Sequence, residues 1–415
     1  MNSNDRYLSK RLKKFIRVNA KSSKSKGWLS DWLSYQSQIA KLLVNGLKGV
    51  SIYRENRLVI ENSVDVLFIH EVELMKKLHR KRGMFSRLDR LQITHAEIDP
   101  KTSKQIAKSR ELFGCSNESL LFRNYDLYAQ YLLETYSPKV IVTDRNGDLF
   151  SPFLKKRAAE TGCKVVHLPH SVLTKESSKY RMIDYDYYLL YGASSLEHLN
   201  ALTTKFGECD VILSGSYLFD SDFTLPPATE KGYVLLLGMG PAMEERPRYA
   251  QYYHSVLEWA ERNPSIQLHV RLHPRSSGAF WIQAAESIDN VVVRPQGESF
   301  IDSCRGAFMC LTSYTNAVVD AALLGRPSLL VCGNDVVDYL QVERFFSSRV
   351  VDSEAISSSI NLYKTQLSTF QKKAEHFAEY HVYSKNRSVE DITKVIVELV
   401  EGKQPTIECH LKGDC

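Results

Sequence analysis

The sequence predicts an α/β protein in two halves, each a parallel sheet built from βαβ units, and three observations carry that prediction. Short aliphatic or β-branched runs (65–70, 139–143, 164–168, 186–191, 210–213, then 233–237, 267–272, 291–293, 307–311 and 328–332) alternate with longer, helix-like segments, the pattern of parallel sheets. The series pauses at 221–232, an acidic stretch holding Pro226 and Pro227, and then restarts. At 415 residues the chain is also too long for one ordinary core.

Taken in order, residues 1–30 form a basic segment and 29–47 a loosely periodic helix weakened by Gly46. The strand at 65–70 is followed by a charged helical stretch, 71–90, read as a solvated face. A helix over 127–133 stops at Ser137-Pro138, and another over 150–161 stops at Gly162. The first half spans 31–220 and the second 233–385. Within the second, helices are expected at 249–262, 317–324 and 356–380, with a short connector at 300–304. A terminal helix, 386–402, packs near the join of the two halves, and 403–415 is a tail.

Composition narrows the function classes. A 43% hydrophobic and 25% charged chain is globular in type, and no apolar run nears the ~18 residues of a membrane span. No apolar leader core opens the chain, and eight scattered cysteines without a CxxC pair favour a reducing cytoplasmic compartment over disulfides or zinc. The net charge of +6 is concentrated at the start: residues 1–30 carry nine Lys or Arg against Asp5. That segment reads as a solvated tail or, with Trp28, Leu29, Trp32 and Leu33 beside it, as a peripheral contact through 1–33 with anionic lipid at the inner face of a plasma membrane. No nucleic-acid signature accompanies it.

The candidate chemistry lies where strands end, because open parallel sheets bind ligands beyond their carboxyl edge. In the first half that rule selects Asp144, Asn146, His170 and Gly215. In the second it selects the Gly238-Met239-Gly240 turn, Arg271, the His273-Pro274-Arg275 break, and the polar run Thr312, Ser313, Thr315 and Asn316 before an apolar helix ending at Gly325-Arg326-Pro327. The polar run reads either as helix capping or as an anion site. The glycine turn lacks the third glycine and the acidic ribose ligand of a dinucleotide fingerprint.

The set Leu168-Pro169-His170-Ser171, Leu272-His273-Pro274-Arg275 and Leu311-Thr312-Ser313-Tyr314-Thr315-Asn316 through Gly325-Arg326-Pro327 resembles the GT-B transferases of bacterial surface polysaccharides. These are the polysialyltransferases, the Kdo transferases of capsule and lipopolysaccharide, and the CDP-glycerol glycerophosphotransferases. The resemblance covers roughly residues 140–332. It implies two Rossmann-like domains facing across a cleft, the acceptor held by the first and a nucleotide-activated donor by the second, with no metal and no cofactor beyond that donor. His273, Ser313 and Thr315 would contact the donor phosphate. Ser171 stands where many members have glycine, and Ser313 where many have an acid.

Independently of the family, loss of a nucleotide leaving group calls for cations or N–H donors at phosphate, met by imidazolium His273, Arg271 or Arg275 and the helix after Thr315. Attack by a hydroxyl calls for a base, His170 first and Asp144 in reserve. A retaining course would need a carboxylate nucleophile, Asp144 or Glu298. The expectation is therefore a glycosyltransferase that moves Kdo or sialic acid from a CMP donor to a glycan or lipid-linked acceptor. The alternatives are a CDP-alditol phosphotransferase and a non-catalytic nucleotide-sugar-binding subunit.

Overall fold

A computed structural model describes residues 3–20, 27–52, 62–77, 80–109, 112, 114–145, 147–173, 181–347 and 349–413. The chain divides into two units, Met1–Leu218 with Ser388–Cys415, and Phe219–Arg387.

In the first unit β1 (Val66–Ile69), β2 (His95–Ile98), β3 (Val140–Thr143), β4 (Lys164–His167), β5 (Tyr187–Leu190) and β6 (Glu208–Leu213) run parallel, in the order β6-β5-β4-β3-β1-β2. The period of two in strands sends neighbouring side chains to opposite faces. Val66, Phe68, Val140, Val142 and Val166 accordingly meet Met84, Leu88, Ile392 and Ile396 on one face, whereas Leu67, Ile69, Ile141 and Val165 enter the core on the other. Each such side chain fully buried contributes about 1.5–3 kcal/mol.

The second unit holds β7 (Tyr233–Leu237), β8 (Leu268–Arg271), β9 (Val291–Val293), β10 (Ala307–Thr312), β11 (Ser328–Val331) and β12 (Arg349–Val350), all parallel, in the order β12-β11-β10-β7-β8-β9. β10 is buried along its whole length, which fits its uninterrupted apolar sequence. The segment 221–232 is tied to this unit: Pro226 and Ala228 carbonyls accept from Arg326 and Gln371.

Four expectations are corrected. Residues 3–20 are not a solvated tail but helix α1 (Ser3–Ala20), which buries Leu8, Leu12, Phe15 and Ile16 in the first unit and pairs Arg11 with Asp184. The stretch 71–90 is two helices, Val72–Lys77 and Arg82–Arg90, with Lys81 at φ 62 before the second. The run 356–380 is likewise two, Ser353–Thr365 and Leu367–His381, parted at Gln366. Residues 403–415 are not a bare tail, since Cys409–Lys412 forms β13, which pairs antiparallel with β6 and becomes the edge of the sheet. The terminal helix Ser388–Val400 packs its apolar face, Val389, Ile392 and Ile396, in the first unit.

Candidate functional site

Both sheets reverse their strand order at one point, between β1 and β3 in the first unit and between β7 and β10 in the second. Such a reversal leaves the loops at the carboxyl ends diverging, which opens a crevice for a ligand.

At the first reversal, His70 follows β1, Asp144 follows β3, and Lys81 reaches in from the turn before Arg82–Arg90. The Lys81 side chain is 1% exposed, and its ammonium donates to Asp144 Oδ2 (2.9 Å) and to His70 Nδ1 (2.9 Å). Since Nδ1 accepts, the His70 proton sits on Nε2, which donates to Glu97 Oε2 at the end of β2 (2.8 Å). Burial and the neighbouring Lys81 charge lower the His70 pKa and keep the ring neutral. Burial also lowers the Lys81 pKa, with Asp144 pulling the other way. The Tyr217 ring lies 5.0 Å from the ammonium.

His170, beyond β4, is exposed at the surface, and the protein packed beside it lowers its pKa. Asp144 opposes that shift, and the Arg80 and Lys81 charges add to it. An imidazole so shifted is neutral at pH 7 and able to accept a proton. Asp144 and His170 thus share one cluster, whereas Asn146 lies outside the described residues. A cavity of about 340 Å³, lined by Tyr128, Tyr131, Tyr136, Asp99, Lys101 and Glu97, shares Glu97 with this network.

At the second reversal the chain leaves β7 through Gly238 and Gly240. Gly238 N–H donates to Arg271 O (2.8 Å), and a Cβ there would stand 2.8 Å from that oxygen and 2.9 Å from His273 N. Only glycine allows the two strand ends to approach so closely. A Cβ on Gly240 would meet His273 Nε2 at 3.8 Å, so the ring faces that glycine. His273 Nδ1 accepts from the Arg275 N–H (3.2 Å), which leaves the proton on Nε2. Burial and then Arg275 lower the His273 pKa. The ring is therefore a neutral donor, not the imidazolium expected from the sequence. Pro274 and Arg275 are exposed in the turn.

Arg271 and Ser313, also expected at the phosphate site, are committed elsewhere. Arg271 turns into the loop after β9, donating to Glu298 O (3.0 Å), Ser299 O (3.2 Å) and Ser303 Oγ (2.6 Å). Glu298, offered as a nucleophile, is held by Arg294 and Ser303, and the Arg294 bond keeps its pKa low. Thr312 is the buried last residue of β10, and Ser313 donates its hydroxyl to Val331 O (2.7 Å). Thr315 accepts from Ala317 N (3.3 Å), the capping reading, while Asn316 is exposed. The helix that follows, Ala317–Leu323, is only seven residues long, so its dipole is a weak anion attractor.

Five participants were missed in the sequence, among them His70, read only as the end of a strand, and Glu97, in a strand that was not expected. Lys81 was hidden within a charged run. Glu244, accepting from Tyr253 (3.0 Å) and Ser276, stands near His273. Arg326, read only as part of a helix stop, is fully buried and donates to the carbonyls of Cys304 (2.9 Å), Leu324 (2.7 Å) and Pro226 (3.1 Å). Among the described residues no cluster of His, Cys, Asp and Glu could hold a metal ion.

No protein-family model matches the sequence. A search of curated proteins gives no match either. Solved structures do match. A UDP-N-acetylglucosamine 2-epimerase is 11% identical with a TM-score of 0.53, covering 84% of this chain and all of that one. The UDP-GlcNAc 2-epimerase of Neisseria meningitidis, bound to UDP-GlcNAc, is 13% identical with a TM-score of 0.52, over 80% of this chain and 99% of that one. S. aureus MnaA, solved with UDP, is 9% identical at 0.52, over 82% and 98%. At such identities the likeness is one of fold, and the fold of this chain is GT-B, with two Rossmann-like α/β domains.

Proposed function

We propose that the protein is a metal-independent glycosyltransferase acting on a nucleotide-activated sugar. In this reading the second unit binds the donor and the first holds the acceptor hydroxyl and its base. The observation that carries it is the glycine turn at the β7–β10 reversal with the Nε2–H of His273 turned toward Gly240. A neutral imidazole N–H beside bare backbone suits a diphosphate or monophosphate leaving group, to which it donates as charge develops. The solved structures of like fold that contain UDP or UDP-GlcNAc support a nucleotide sugar as the ligand class.

In the first unit, His170 takes the proton of the attacking hydroxyl as the acceptor oxygen bonds to the anomeric carbon and the nucleotide phosphate leaves with the bonding pair. Lys81 holds Asp144 in place. The tyrosine-lined cavity beside Glu97 suits a glycan, whose rings stack on aromatic side chains while its hydroxyls pair with Asp99 and Lys101. Kdo or sialic acid from a CMP donor remains the preferred cargo, on the sequence resemblance, with a bacterial capsule or lipopolysaccharide glycan as acceptor. Arg275, Thr315 and Asn316 remain candidates at the donor phosphates, whereas Arg271 and Glu298 are assigned to holding the loop after β9.

A thermal-shift panel of CMP, CDP, UDP and GDP tests the reading. One nucleotide at 100 times its Kd should stabilise the wild type by ~2.7 kcal/mol and leave His273→Ala unshifted. A shift with CMP supports the CMP-sugar, and one with CDP the alditol phosphotransferase. Binding without nucleotide release in the presence of donor and acceptor would make the protein a non-catalytic subunit. No shift with any of the four overturns the proposal.

A further inference from the structure

Helix α2 (Trp28–Ile52) is the most exposed apolar element of the described chain. Its inner face is fixed by contact. Leu42 enters the core, and a Cβ on Gly46 or Gly49 would stand 2.1 Å from Leu120 O or Asn124 Oδ1. Asn45 adds a bond to Ser103 Oγ (2.9 Å) and accepts one from Asn124 Nδ2 (2.8 Å). With that face pinned, the helical period turns Leu29, Leu33, Leu43, Leu47 and Val50 outward as one stripe, 39–59% exposed, with Trp28 and Trp32 at its start. The stripe runs about 32 Å along the helix.

Charge identifies what covers it. Lys41 and Lys48 flank the stripe on α2, and the exposed side of α1 presents Lys10, Lys13 and Arg17, while α1's apolar side enters the same core as Leu42. Among the described side chains of both helices the single acid is Asp31, half-buried. A second copy seated on this stripe would bring the flanking lysines of two chains together at a cost, whereas an anionic lipid surface neutralises them. No described helix is long and apolar enough to cross a membrane, and Lys41 and Lys48 keep α2 at the interface. We propose that α2 lies in the plane of an anionic bilayer, its Leu/Trp stripe among the acyl chains and the α1 and α2 cations at the headgroups. α1 itself does not insert, because its apolar residues are already buried.

Flotation of the full chain with vesicles tests this, independently of the nucleotide-sugar reading. Vesicles containing phosphatidylglycerol should carry at least about tenfold more protein than phosphatidylcholine alone, and high salt should release it. Leu33→Glu with Leu47→Glu should cut the partition at least about tenfold while leaving the melting temperature unchanged, since both side chains are more than half exposed. Lys13→Glu with Lys41→Glu should weaken binding to the anionic vesicles only. Wild-type protein that does not float with phosphatidylglycerol, or a Leu33/Leu47 variant that floats as well as wild type, overturns the proposal. A dimer in sedimentation that the same leucine changes dissolve, with no vesicle binding, would make a second copy the occupant and equally overturn it.

Discussion

Lys81 Nζ stands 2.9 Å from Asp144 Oδ2, an ion pair almost closed to solvent that joins residues 63 positions apart across the strand reversal of the first sheet. Removing one partner of such a pair leaves a buried charge unanswered. Lys81→Met should therefore destabilise the protein by about 3–5 kcal/mol in urea unfolding, and Lys81→Met with Asp144→Asn should recover a large part of that loss. If the double variant is no more stable than the single, the pair does not act as a unit.

His170→Ala should lower kcat by ~10²–10⁴-fold with donor KM nearly unchanged, and Asp144→Asn should cost less on an inverting enzyme. The ring's pKa is lowered, so the wild-type rate should hold through neutral pH and fall only on the acid side, below about pH 6.5, as the base becomes protonated. A kcat/KM profile whose acid limb lies above that pH would contradict the assignment.

The two glycines after β7 separate fold from ligand. Gly238→Ala forces a Cβ to 2.8 Å from Arg271 O and should cost about 1–3 kcal/mol in thermal or urea unfolding. Gly240→Ala meets His273 at an ordinary 3.8 Å. It should melt like the wild type and lose affinity for the nucleotide that shifts the wild type. Equal nucleotide affinity in Gly240→Ala would remove the donor phosphate from this turn.

His167, wholly buried in β4 against Tyr185 and Tyr188 (ring centroids 4.6 and 4.4 Å), has its pKa pushed down to about 3 by burial. That lies below the ~6.5 of an unfolded histidine, so acid favours the unfolded chain. The contribution is whole above pH ~6.5 and is lost progressively toward pH ~3, by roughly 3–5 kcal/mol. His167→Phe should flatten that acid limb in unfolding measured across this range.

What the sequence revealed depends on how each residue's burial is encoded. β10 and β7 were readable because both faces are buried and their runs are continuous. β2 (His-Ala-Glu-Ile) and β13 (Cys-His-Leu-Lys) are edge strands with mixed exposure, and so carry little apolar signal. α1 did carry one: Leu8, Leu12, Phe15 and Ile16 share a helical face, but nine cations in the first thirty residues drew attention to charge over period. Lys81 is the sharper case. Nothing in Arg80-Lys81-Arg82 tells which cation turns inward, because the αL turn that aims it is set by packing. Likewise His273 was found by its proline, yet its protonation depends on an N–H two residues on.

The second unit interrupts the first, which is finished only by Ser388–Val400 and by β13. A ribosome adding roughly 5–20 residues per second needs on the order of ten to forty seconds to pass from Leu218 to the end of β13. Throughout that interval Met84, Leu88 and the Phe68 face of the first sheet lack the helix that covers them, and the β6 edge stands unpaired. The nascent first half is thus an unfinished, sticky surface for as long as the second half is being made. Chaperone occupancy on polysomes should concentrate in that window and end when residue 412 has left the exit tunnel.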